Sequence, residues 1–123
     1  MNIKSLLTVT ALIEGATGVA LLVVPSVIVE LLLGAGLSSP QSFVLGRIAG
    51  AALVSIGVAC WLARKTDAVV TGLVAGMLIY NVAVPVLLIY AAMADGMQGV
   101  ALWPASILHV MLAVWCLLCL RPR

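Results

Sequence analysis

The sequence predicts an all-α integral membrane protein, with four transmembrane helices in an antiparallel up-down-up-down bundle and both termini cytoplasmic. Three observations carry this. Of 123 residues, 65% are apolar and only 8% are charged, whereas charged residues make up ~25% of an average soluble domain. The mean hydropathy is +1.33. Breakers and charges cut the chain into stretches close to the ~20 apolar residues that a bilayer-spanning helix needs. This composition excludes a water-soluble globular domain, a disordered chain and a secreted disulfide scaffold. A net charge of +2, with no basic cluster on a soluble face, excludes a nucleic-acid partner. Residues 1–123 read as one domain with no internal repeat.

The first span runs from about Ser5 to Val24 and is stopped by Pro25. It is expected to stay uncleaved, because Glu14 lies inside it and no small-x-small cleavage site follows. Residues 25–36 hold a short apolar run, Val27 to Leu33, before Gly34-Ala35-Gly36. The run is too short to span, so it is expected to continue the first helix past a kink or to lie at the interface. Ser39-Pro40 supplies an N-cap with proline at the first helical position, and the second span follows to Ala63. Arg64-Lys65-Thr66-Asp67 is a polar turn, with Asp67 placed to cap the next helix. The third span covers about Ala68 to Met93, interrupted by Pro85, and Asp95 to Gly99 form the next turn. The fourth covers about Val100 to Leu120, with Pro104 tolerable in its first turn.

Orientation follows from the basic residues. Lys4, Arg64, Lys65, Arg121 and Arg123 fall on one side of a four-span chain. The other side carries Glu30 and Asp95 but no basic residue outside the spans. The positive-inside rule then makes the first side cytoplasmic, and the expected location is the cytoplasmic membrane of a prokaryote. Trp61, Tyr90 and Trp103 fall near the interfaces as belt anchors. The pairs Ala11/Gly15, Gly46/Gly50 and Gly72/Gly76, each four residues apart, offer small faces for close helix approach.

Charges and strong dipoles inside spans are costly, at least ~2.5 kcal/mol for a central charge. At about 1.5 Å per residue, Glu14 lies ~15 Å below the outer end of its span and Arg47 ~10 Å below that of its own. On the same count His109 lies at ~13 Å and Asn81 at ~18 Å. Each span thus contributes one polar side chain to a shared layer, and a buried constellation of Glu14, Arg47, Asn81 and His109 is expected. Tyr80 and Ser106 are placed to line the same cavity, and Pro85 leaves the carbonyl of Asn81 without a helical donor. Two readings stay open. The layer is a lock that fixes helix register, or it is a ligand, proton or substrate site.

Cys60, Cys116 and Cys119 cluster at the cytoplasmic ends of the second and fourth spans. The string Trp115-Cys116-Leu117-Leu118-Cys119 resembles the Trp-Cys-x-x-Cys motif of thioredoxins, but it closes a helix where that motif opens one. Vitamin K epoxide reductases also combine four membrane helices with a Cys-x-x-Cys; their loop-borne second pair is missing here. Three thiols make a weak soft-metal candidate, and buried free cysteines ordinarily serve as small hydrophobes. No metal site is expected.

In length, span count and the placing of Glu14, the chain resembles the small multidrug resistance family. That resemblance implies a small proton-coupled transporter, working through Glu14 and as a homodimer. Arg47 would neutralise such a glutamate, and the family's patterns in the later spans do not align. The favoured expectation is therefore a binding or accessory subunit. It would hold a lipid, quinone or other small amphiphile, or pack beside a larger membrane complex or a second copy. Arg47, His109 and Asn81 would be donors to a headgroup or a quinone carbonyl, with Glu14 orienting Arg47 or His109. His109 with Glu14 is the only candidate catalytic dyad, so the reading leans away from an enzyme. No cofactor can be named.

Overall fold

A computed structural model describes residues 2–65 and 70–121. The expected cap at Asp67, with its neighbours Thr66 and Ala68, and the terminal Pro122 and Arg123 lie outside the described residues. Five helices follow in order: α1 (Ile3–Val23), α2 (Pro25–Leu33), α3 (Pro40–Ala63), α4 (Thr71–Ala94) and α5 (Leu102–Leu120). Among the described residues there is no strand. All but α2 are long and apolar enough to cross a membrane.

Local chemistry sets each boundary. The Asn2 side chain accepts the Lys4 amide at 2.9 Å and caps α1. At the other end Pro25 pushes the preceding residue out of the α region, and Val24 sits at φ −131°, ψ 57°. That one residue separates α1 from α2, which starts on Pro25 and ends at Gly34 with φ 84°. Only glycine takes that left-handed conformation without strain. Residues 25–33 are thus a helix of their own beyond a sharp break. The Leu37 amide donates to Ser26 Oγ at 2.9 Å, turning the chain back towards α3. Ser39 and Ser42 then cap α3 reciprocally, each accepting the other's amide at 3.2 Å. Pro85 is accommodated within a continuous α4, as membrane helices allow.

Two helix pairs make the most extensive contacts, α1 with α3 and α4 with α5. The first pair meets over glycine. A Cβ on Gly18 would lie 2.7 Å from the Gly50 carbonyl oxygen, and one on Gly57 would lie 3.0 Å from the Gly15 amide nitrogen. Of the small faces expected from sequence, Ala11/Gly15 and Gly50 join this seam. Gly46 instead faces Pro25 and Leu37, and Gly72 and Gly76 have no neighbour within 4 Å of a Cβ.

The tightly packed core lies towards one end of the molecule. Leu6, Leu7 and Ala11 of α1 meet Cys60 of α3, Val74 and Met77 of α4, and Leu112 and Cys116 of α5. With lipid outside as apolar as leucine, contact and close packing hold this end together. Large apolar side chains such as Leu45, Ile79, Leu87, Ile107 and Met111 point outward, a patch far too extensive for a water-facing surface. At the other end the two pairs do not close on each other, and α2 covers part of the opening. The Ala101 amide donates to the Leu31 carbonyl at 2.8 Å, tying α2 to the turn before α5.

Candidate functional site

Between the helix pairs lies a cavity of about 700 Å³, a size typical of small-molecule sites. The second half of α1, α2, the middle of α3, the second half of α4 and the first half of α5 all contribute to its wall. Ile28, Leu31 and Leu32 of α2 are among the lining residues, so the segment expected as a kink or interfacial run is structural wall. The lining is apolar except for Glu14, Thr17, Tyr80 and His109.

Glu14 lies at mid-length in α1 and is 1% exposed. One carboxyl oxygen, Oε1, has no hydrogen-bond partner among the described residues. The Tyr80 hydroxyl from α4 lies beside the carboxyl group. The Tyr80 ring in turn meets the His109 ring edge-on, with centroids 5.5 Å apart and planes at 82°. Tyr80 therefore stands between Glu14 of α1 and His109 of α5, with which it forms an aromatic pair.

Asn81 anchors the next part of the chain of contacts. Its Nδ2 donates to the Met77 carbonyl one turn back at 2.8 Å. That bond fixes which end of the amide is oxygen, and Asn81 Oδ1 faces His109 Nδ1 at 2.7 Å. An amide oxygen only accepts, so His109 carries its proton on Nδ1. In the neutral ring Nε2 is then left with a lone pair and no proton.

Arg47 stands apart. It is exposed on α3 and lies outside the cavity wall, so it is not a member of the buried layer. Depth along a helix says nothing of the face. Position 47 is offset from Gly50 and Leu53, whose positions α3 buries. Ser106 is buried, yet its hydroxyl donates to the Leu102 carbonyl on its own helix at 2.8 Å, and it is absent from the cavity lining. The layer that forms is Glu14, Tyr80, Asn81 and His109, with Thr17 one turn above Glu14.

A second, smaller cavity of about 280 Å³ lies alongside, lined by Thr10, Ile56, Gly72, Leu73, Gly76, Met77, Tyr80 and Asn81. Tyr80 and Ile56 border both spaces. Thr10 is completely buried and its hydroxyl has no partner among the described residues. Thr10 lies one turn before Glu14 on α1; the open space opposite Gly72 and Gly76 is a tertiary property.

The three cysteines are free, with Cys60 and Cys116 buried and Cys119 partly so. Cys60 Sγ lies 3.6 Å from Met77 Sδ, inside the packed core. No group of three metal-ligating side chains exists among the described residues. The Arg64 guanidinium lies 3.4 Å over the Trp61 ring at the end of α3, a stacking that suits an arginine at an interface.

Neither a protein-family model, nor a curated protein, nor a solved structure matches the chain.

Proposed function

We propose that the chain is a small binding or accessory protein of a membrane, prokaryotic and cytoplasmic, that holds a single lipid or similar amphiphile between its helices. In this reading the four long helices run up-down-up-down with both termini in the cytoplasm, as Lys4, Arg64, Lys65 and Arg121 favour. One observation carries it. An apolar cavity of about 700 Å³ ends on a buried polar cluster containing an unpartnered carboxyl oxygen. An apolar body fits the walls, and a polar head meets Glu14, Tyr80 and His109. Native mass spectrometry of the protein released gently from its membrane tests this. The expected result is a retained small mass, or a larger partner, that an Ala105→Trp variant loses because Ala105 lines the cavity. A bare chain in both forms counts against it.

A carrier that uses Glu14 is the second reading, and two observations favour it. Among the described residues no arginine pairs with Glu14, and Tyr80 stands between two cavities. Proteoliposomes distinguish the readings: Glu14→Gln abolishes proton-linked solute movement in a carrier, whereas a binding protein shows no such movement to abolish.

A further inference from the structure

We infer that the large cavity selects an amphiphile whose head is a hydrogen-bond donor, a hydroxyl or an ammonium, over one whose head only accepts. This rests on the proposal that the cavity holds an amphiphile, and it comes from counting donors and acceptors at the polar end. The Tyr80 hydroxyl lies beside the Glu14 carboxyl, which offers its O–H an acceptor. The His109 Nδ1–H is spent on Asn81 Oδ1. Asn81 donates to Met77 and borders the smaller cavity, not the larger one. What the large cavity has left is Glu14 Oε1, without a partner among the described residues and an acceptor when the carboxyl is ionised, and, in the neutral ring, the lone pair of His109 Nε2. Thr17 has a hydroxyl that adapts to either kind of head. Arg47, the donor that a carbonyl or phosphate head would need, is outside the cavity wall.

The energetic consequence follows from the cost of buried polar atoms left unpaired. An O–H or N–H head satisfies one or both orphan acceptors. An ether or ketone of the same shape leaves them bare and brings a further acceptor towards them. A site built around such a bond rejects the analogue lacking it far more strongly than a hydrophobic pocket rejects a changed methylene. The sequence led to the opposite expectation, a donor-rich site suited to a quinone carbonyl. The exposed face of Arg47 and the internal use of Asn81 reverse it.

The test is calorimetric titration of the full chain in nanodiscs with three matched probes. Para-octylphenol, para-octylanisole and para-octylbenzylamine share an alkyl-aryl body and differ at the head. The Ala105→Trp variant, checked for intact helicity and size, serves as the blocked-cavity control for partition into lipid. The phenol or the amine is expected to bind at least about tenfold more tightly than the anisole, with the preference shrinking in Glu14→Gln or His109→Phe. Tighter binding of the phenol identifies a hydroxyl head, and tighter binding of the amine identifies a cationic one. Equal binding of all three, lost in Ala105→Trp, overturns the donor rule while leaving an amphiphile site in place. Heats no different from the blocked variant for every probe overturn both.

Discussion

Asn81 Oδ1 lies 2.7 Å from His109 Nδ1, joining α4 to α5 by a side-chain hydrogen bond buried in the bundle. Both partners sit on faces that the two helices bury against each other. The bond orients the imidazole edge, and the same ring packs edge-on against Tyr80. Helix pairing and the chemistry of the cavity are therefore set by one contact.

A double-mutant cycle through Asn81→Leu and His109→Leu should give a coupling of ~0.6–1.7 kcal/mol, the span measured for hydrogen bonds between membrane helices. Each single change should also cost more than the double, because it leaves one buried partner unpaired. Reversible unfolding in mixed micelles reads both quantities. Strictly additive single changes would contradict the bond.

The glycine seam predicts a contrast between two substitutions of similar appearance. A Cβ on Gly50 would meet the Gly18 carbonyl oxygen at 2.8 Å and the Leu21 Cβ at 2.9 Å, while Gly76 has open space around it. Gly50→Val should lower stability by about 1–3 kcal/mol through overpacking of α1 on α3. Gly76→Ala should stay within ~0.5 kcal/mol of wild type. Thermal denaturation in detergent separates them, and equal losses at both positions would show that the seam is misplaced.

Arg47 and Glu14 should be independent. Arg47 is exposed whereas Glu14 is 1% exposed, so Arg47→Ala and Glu14→Ala should add within ~0.5 kcal/mol. Rescue of one by the other would require an ion pair that this fold does not make. Ligand retention should fall with Glu14→Ala and persist in Arg47→Ala.

Thiol labelling should report the packed end. Cys60 and Cys116 are fully buried, and Cys119 is accessible in part. A maleimide should modify Cys119 first in the folded protein and all three thiols only after denaturation. Early modification of Cys60 would mean that the core around Met77 opens readily.

Helix existence was legible residue by residue. Pro25, Ser39-Pro40 and Asp95-Gly96 act through local backbone geometry, and boundaries expected from them agree with the helices to within a few positions. Glu14, Asn81 and His109 were legible because an uncompensated polar group inside an apolar span is costly wherever the span packs. Arg47 met the same criterion and was misassigned. A long arginine on the lipid side can carry its charge along the helix to the interface, so depth alone does not decide its face. The role of α2 was not legible either. Its nine residues carry no signal for the tertiary position that makes them a cavity wall.

By itself, then, the sequence determined the secondary structure, the apolar character of the long helices and the identity of the polar residues that must be sheltered. These depend on local conformational preference and on transfer cost, which act within one helix. The tertiary structure decided which helices pair, that Tyr80 reaches Glu14, that Asn81 is spent on Met77 and His109, and that a cavity remains. Each of those depends on how one helix is rotated about its axis relative to another. That rotation is set by a few close contacts such as Gly18 on Gly50, distant in sequence and invisible to any local pattern.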